Sequence, residues 1–68
     1  MPRKIRELRA DLRRAGFTVR SGKGSHTVWK HPKLPDVVVL SGHDGQDAKP
    51  YQERDVQEKL RKLEELDD

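Results

Sequence analysis

The segment SGKGSHTVWKHP, near the middle of the chain, collects residue types that could do chemistry on a phosphate ester. Gly22 and Gly24 allow backbone N–H groups to approach a ligand closely, and Lys23 between them carries a charge suited to phosphate. Ser25 and His26 follow where this loop meets the next strand. A neutral imidazole there could remove the proton from a ribose 2′-OH, and nearby cations would stabilise the negative charge that grows on the attacked phosphate. This chemistry needs no metal ion.

A purely structural interpretation of the same residues stays open. His26 could be a strand residue that makes a structural hydrogen bond, and a Gly-Lys-Gly sequence is common at the tip of an ordinary hairpin. A metal site is not indicated, because no carboxylate or cysteine stands at ligand spacing from the histidines. His26 and His31 would also point to opposite faces of the sheet, since they are five residues apart on one predicted strand. We therefore expect neither a metal ion nor a cofactor.

Length and composition narrow the class of protein. With 68 residues the chain is expected to form one domain, residues 1–68, and so short a chain buries only about 60% of the surface that it exposes when unfolded. It has no cysteine for disulfide bonds, and no apolar run approaches the ~20 residues of a membrane span. These features predict a small protein of the cytoplasm that has no membrane partner.

Charge is divided unevenly along the chain. Residues 1–33 hold ten Lys and Arg against two acidic residues, a net charge of +8, whereas residues 34–68 hold five against ten, a net charge of −5. A basic half on a small domain is typical of a nucleic-acid binder. The alternative is a solvated surface that happens to be rich in arginine.

The hydrophobic pattern predicts a helix and a hairpin in the first half. The helix begins near Pro2, where proline is favoured, and ends at Gly16 in the left-handed conformation. Its buried stripe consists of apolar residues spaced three and four apart: Ile5, Leu8, Leu12 and Ala15. Two strand-like runs follow, residues 17–20 and 26–31, and the glycine-bearing loop joins them as a hairpin.

The second half predicts a third strand, a loop and a second helix. Residues 37–40, Val-Val-Val-Leu, form a β-branched run typical of a well-buried strand, and the glycines and proline of residues 41–50 indicate a loop. A helix from about Tyr51 to Leu66 would bury a stripe of apolar residues: Val56, Leu60 and Leu63. Its solvated side would carry i,i+4 ion pairs, Asp55–Lys59 and Glu58–Lys62.

The element order α-β-β-β-α predicts an α+β fold of two layers, with two helices against one face of a three-stranded antiparallel sheet. The other face of the sheet would be open to a partner. Trp29 alternates with Val28, so one of them faces the helices and the other faces outward. Trp29 is therefore either a core residue or a platform for base stacking, and the alternation alone does not decide between them.

The stretch LRRAGFTVRSGKGSHTVWKHP resembles the HicA family of toxins, which are small mRNA interferases paired with HicB antitoxins. The matching elements are a first helix that ends in Ala-Gly-Phe, then an arginine, Lys-Gly-Ser-His, an aromatic residue and a His-Pro turn. The resemblance implies a fold like the double-stranded-RNA-binding domain and metal-independent endonuclease cleavage of mRNA. It also implies inhibition by a HicB-like antitoxin protein.

The resemblance also implies functional roles for individual residues. The essential histidine of the family falls on His26, which we expect to be the general base, and His43 is the candidate match to a second histidine after the third strand. We expect RNA contacts from the residues around His26: Arg20, Lys23, Gly24, Ser25 and Lys30. The chain departs from the family pattern near His43, where a proline is missing and Asp44 and Asp47 are present, and in its unusually acidic second helix.

Three functional hypotheses follow from the sequence. The first is a HicA-like endoribonuclease toxin, and the second is a non-catalytic RNA-binding module of the same fold that recognises the A-form backbone by shape and charge. The third is a protein-interaction domain that uses the acidic second half. Only Gly24-Ser25-His26 separates the first two hypotheses, because a module that merely binds RNA does not require these residues.

Overall fold

Five elements follow one another in the order helix, strand, strand, strand, helix in the computed structural model, which describes residues 2–66. They are α1 (Ile5–Arg14), β1 (Thr18–Ser21), β2 (Thr27–Lys30), β3 (Val38–Leu40) and α2 (Pro50–Leu66). The strands form one antiparallel sheet in the order β1-β2-β3. The predicted α+β arrangement is therefore confirmed.

The core lies between both helices and one face of the sheet. It contains the predicted stripe of α1, with Ala15 partly buried at its end, and on α2 Val56 and Leu63 are buried while Leu60 is partly buried. The sheet contributes Trp29 together with alternate residues of β3. Trp29 is fully buried, so the structure places it in the core and leaves its neighbour Val28 on the outward face.

The start of α1 lies later in the chain than predicted. Lys4 has an extended backbone and forms a β-bridge with Asp47, and the Ala48 N–H donates a hydrogen bond of 2.6 Å to the Arg3 carbonyl. These contacts with a distant segment hold the first residues in an extended conformation. The prediction of a helix from Pro2 was wrong because local sequence does not reveal such a partner.

The end of α1 follows the prediction. Gly16 has φ +97°, the left-handed region that favours glycine, and the Phe17 N–H donates to the Leu12 carbonyl at 3.0 Å. A Cβ at Gly16 would also lie 3.3 Å from Nε2 of His31. Phe17 thus folds back onto the last turn of the helix and is buried there.

The prediction of a well-buried third strand was wrong in part. In β3 only Val38 and Leu40 are buried, whereas Val39 and the preceding Val37 are exposed. The reason is that helices cover one face of the sheet only, so successive side chains alternate between core and solvent.

Both predicted ion pairs of α2 form, but one of them is not on a solvated side. Lys62 Nζ lies 3.7 Å from Glu58 Oε1, and Lys59 Nζ lies 3.6 Å from Asp55 Oδ1. Lys59 is only 8% exposed, because the aliphatic stem of a lysine can be buried while its ammonium group reaches a carboxylate at the surface. Neither α1 nor α2, as described within residues 2–66, is long and apolar enough to cross a membrane.

Candidate functional site

Two loops meet at the end of the sheet where β1 passes into β2. They are the β1–β2 loop, residues 22–26, and the β3–α2 loop, residues 41–49, and α1 contributes a wall beside them. Between them lies a cleft of about 360 Å³, which we call the histidine cleft. Its lining consists of Arg9, Ser21, Gly24, Ser25, His26, Thr27, Gly42, His43 and Asp44. The structure therefore brings together both histidines that the sequence singled out as catalytic candidates.

Backbone hydrogen bonds of the β1–β2 loop place His26. The Gly22 N–H donates to the His26 carbonyl at 2.8 Å, and the His26 N–H donates to the Lys23 carbonyl at 3.0 Å. Gly24, with φ +58°, supplies the left-handed residue that this turn requires. The His26 side chain is exposed, and its imidazole makes no hydrogen bond to any residue of the range 2–66. The ring is thus available to a ligand.

The β3–α2 loop is anchored on the first turn of α1. The Ile5 N–H donates to the Gln46 carbonyl at 2.9 Å, and the Arg6 N–H donates to the Asp44 carbonyl at 3.2 Å. These are amide groups that a helix cannot satisfy internally, so a loop can bind them. Gln46 Oε1 in turn accepts a hydrogen bond of 2.6 Å from the His43 N–H. The start of α1 thereby holds His43 at the cleft.

A side-chain hydrogen bond ties the two loops together. The Gly42 N–H donates to Ser25 Oγ at 3.1 Å, which connects the loop of His26 to the loop of His43. Gly42 has φ +112°, and a Cβ there would lie 2.8 Å from Gln46 Oε1. The left-handed conformation therefore favours glycine at position 42, and a Cβ there would also push against the Gln46 side chain that accepts the His43 N–H.

The residues predicted to contact RNA are divided among three places. Gly24 and Ser25 line the histidine cleft, and Lys23 is exposed at the tip of the hairpin. Arg20 and Lys30 project from the open face of the sheet, where they line a shallow depression. The sheet thus separates these last two cations from the face that packs against α1.

Arg9 also lines the cleft, although it lies outside the sequence motif around His26. Its Nη1 lies 3.0 Å from Asp44 Oδ1, and its guanidinium carbon lies 5.8 Å from the centre of the Trp29 ring. A pattern in the sequence could have indicated it. Arg6, Arg9 and Arg13 each follow directly after a buried residue of α1, so all three share one flank of the helix.

His31 lies at the other end of β2 and has structural contacts. Its Nδ1 accepts a hydrogen bond of 3.0 Å from the Lys33 N–H, and its ring meets Phe17 edge-to-face with centroids 5.1 Å apart. His31 does not line the histidine cleft. In the part of the chain that the structure describes, no group of three or more His, Cys, Asp or Glu side chains is arranged to hold a metal ion.

Comparison with protein families matches residues 5–64 to the family described as "HicA toxin of bacterial toxin-antitoxin". The chain belongs to the HicA toxin family. The resemblance seen in the helix end, the Lys-Gly-Ser-His element and the His-Pro turn is thereby confirmed. Membership in the HicA family makes this chain the toxin of a toxin–antitoxin system, with an antitoxin as its partner. No curated protein and no solved structure matches the chain.

Proposed function

We propose that this HicA-family chain is an endoribonuclease that cleaves mRNA in the histidine cleft without a metal ion. The observation that supports this most strongly is the presence of His26 and His43 on two different loops of one cleft, with Arg9 in its wall. Two imidazoles and a guanidinium can supply the general base, the general acid and the charge stabilisation that cleavage by a neighbouring 2′-OH requires. The RNase activity for which HicA proteins are known favours the same conclusion.

In the proposed reaction His26 is the general base. Its neutral imidazole takes the proton of a ribose 2′-OH, the 2′-oxygen forms a bond to the adjacent phosphorus, and the bond from phosphorus to the 5′-oxygen breaks. His43 donates a proton to that leaving oxygen. Arg9 stabilises the negative charge that grows on the phosphate, for which it must exchange its ion pair with Asp44 for the substrate. The products are a 2′,3′-cyclic phosphate and a 5′-hydroxyl.

The proposal extends to the partner and the place of action. A HicB-like protein is the antitoxin that we propose for this chain, and we expect it to act by keeping mRNA out of the histidine cleft. We expect the reaction to take place in the cytoplasm, where mRNA is translated.

The products of cleavage provide the first test. Incubation of the purified protein with a long single-stranded RNA in excess EDTA is expected to give fragments that end in a 2′,3′-cyclic phosphate or a 3′-phosphate, because attack by the neighbouring hydroxyl needs only the two histidines and a cation. End-group labelling and mass spectrometry identify the termini. A 3′-hydroxyl terminus, or activity that returns only when Mg²⁺ is added, would show that the reaction follows a different mechanism.

Ser25 provides a second test, because its hydroxyl ties the two histidine loops together. Ser25→Ala removes the acceptor of the Gly42 N–H and is expected to lower kcat about 10- to 100-fold, since small displacements of catalytic groups are costly. RNA affinity should fall far less, because Ser25 supplies only one of the expected RNA contacts. Ser25→Thr keeps the hydroxyl and should restore most of the rate. If Ser25→Ala instead weakens RNA binding as much as it slows cleavage, Ser25 acts through its contact with RNA and not through its hydrogen bond to Gly42.

A further inference from the structure

The basic residues in and beside α1 are not all neutralised by carboxylates. Those on one side of the helix have partners: Arg3 pairs with Asp11 and Glu7, Lys4 with Asp47, and Arg14 with Asp11. The hydrogen bond from Arg3 to Asp11 also raises the pKa of Arg3. Most of the acidic side chains near α1 therefore pair with the basic residues on this side of the helix.

The other flank of α1 keeps its positive charge. Arg6, Arg9 and Arg13 line a groove of about 260 Å³ together with Ala10 and Asp44, which we call the arginine groove. Arg6 and Arg13 are exposed and form no ion pair within residues 2–66. Arg9 is paired, but its partner Asp44 has a side chain that is 62% exposed and could be displaced by a stronger anion.

The arginine groove runs into the histidine cleft, because Arg9 and Asp44 line both. A helical rise of 1.5 Å per residue separates the Cα atoms of Arg6 and Arg13 by about 10 Å along the axis of α1. Arg9 and Arg13 are also held over the buried Trp29 ring, the guanidinium carbon of Arg13 at 5.6 Å from its centre. A row of cations on a rigid helix, leading to a cleft, matches the repeating phosphates of a nucleic-acid strand.

We propose that Arg6 and Arg13 bind the phosphates of single-stranded RNA next to the phosphate that is cleaved, which Arg9 contacts, so that the strand lies along α1. The proposed function is the basis for placing the cleaved phosphate in the histidine cleft. Asp44 neutralises Arg9 in the free protein, and the phosphate to be cleaved takes its place on binding. A single strand is the form of RNA that fits, because the in-line attack of a 2′-oxygen requires a backbone geometry that a regular duplex does not adopt.

The chain offers a matched control for this site. Arg6 and Arg13 are seven residues apart on the exposed surface of α1, and Arg54 and Arg61 are seven residues apart on the exposed surface of α2. The double variants Arg6→Gln/Arg13→Gln and Arg54→Gln/Arg61→Gln therefore lose the same charge at the same spacing. Circular dichroism verifies that both are folded.

The measurement is the affinity for a short single-stranded RNA with 2′-O-methyl riboses, which cannot be cleaved by 2′-attack, determined by fluorescence anisotropy over a range of salt concentrations. The Arg6/Arg13 variant is expected to bind roughly 5- to 30-fold more weakly. The slope of log K against log salt should fall in magnitude by about 1.4, because each phosphate contact with a single strand contributes about 0.7. The Arg54/Arg61 variant should keep the wild-type slope. Asp44→Asn should bind more tightly than the wild type, because Arg9 loses its competitor.

Three results would overturn the inference. Equal losses of RNA affinity in the two double variants would mean that only the net charge of the protein matters for binding. An Asp44→Asn variant that binds RNA no more tightly than the wild type would mean that Arg9 takes no part in binding. Tighter binding of an RNA duplex with the same dependence on Arg6 and Arg13 would exclude the single strand as the intended ligand.

The same variants separate this inference from the proposed function. If the wild type binds RNA through Arg6 and Arg13 but cleaves no RNA, the binding site stands and the endoribonuclease proposal fails. If the wild type cleaves RNA and both double variants bind and cleave a long RNA equally well, the endoribonuclease proposal stands and the arginine site fails.

Discussion

Replacing His26 by alanine is expected to abolish measurable RNA cleavage and to leave the fold intact. A positioned general base typically accelerates a reaction 10²–10⁴-fold, so its loss removes most of the rate. The His26 side chain is exposed and makes no hydrogen bond to residues 2–66, while the turn around it is held by backbone groups that alanine retains. The measurement is cleavage of a long single-stranded RNA by purified wild type and variant, with circular dichroism to verify folding.

His31 supplies the control for this experiment. In His31→Asn the side-chain oxygen can accept the Lys33 N–H as Nδ1 does now, since asparagine forms this bond with the residue two positions on. This variant should cleave RNA at nearly the wild-type rate, although the lost ring contact with Phe17 lowers its Tm. A fully active His26→Ala variant, or a wild type that binds RNA tightly and never cleaves it, would favour the RNA-binding module without catalysis.

The separate roles of His26 as general base and His43 as proton donor can be tested in the same assay. A substrate whose bridging 5′-oxygen is replaced by sulfur has a leaving group that needs no proton. His43→Ala should cleave this substrate at close to the wild-type rate, although it is slow on ordinary RNA. His26→Ala should be inactive on both substrates, because the 2′-OH must still lose its proton. Equal defects of His43→Ala on both substrates would exclude His43 as the proton donor.

The parts of the fold that the sequence predicts well are those set by near neighbours in the chain. The buried stripe of α1 follows from residue spacing, and the end of the helix at Gly16 follows from the left-handed conformation that glycine adopts easily. The β1–β2 hairpin likewise follows from Gly22 and Gly24 between two strand-like runs. The sequence therefore predicts the position of His26, at the junction between the hairpin loop and β2.

The parts that the sequence leaves open depend on contacts between distant segments. The residues before α1 are extended because Lys4 pairs with Asp47, and no local pattern reports such a bridge. His43 reaches the end of the sheet that carries His26 because Ile5 and Arg6 bind the loop that follows His43. Alternation along β2 likewise states only that two neighbouring side chains face opposite ways, and the position of the helices decides which one is buried.

Trp29→Ala is expected to unfold the protein at 25 °C. Trp29 is the largest of the fully buried side chains, and replacing a buried tryptophan by alanine typically costs about 3–5 kcal/mol. A chain of this length gains roughly 3–5 kcal/mol from its core, so the loss is comparable to the whole free energy of unfolding. The variant should show no cooperative transition in thermal or urea melts followed by circular dichroism, and no RNA cleavage, because the walls of the histidine cleft are no longer assembled.

Two milder substitutions test whether the loss of stability in Trp29→Ala arises from the burial of the Trp29 ring in the core. Val28→Ala, on the adjacent residue and the outward face of β2, should change the free energy of unfolding by less than about 1 kcal/mol. Trp29→Phe keeps most of the ring but loses the indole N–H that donates to Thr27 Oγ1 at 2.9 Å, a cost of about 1–2 kcal/mol. Thr27 still donates to the Leu40 carbonyl at 3.3 Å, so its hydroxyl keeps a partner and Trp29→Phe should fold and cleave RNA. A Trp29→Ala variant with an unchanged Tm and weakened RNA binding would place the ring outside the core and make it the stacking platform instead.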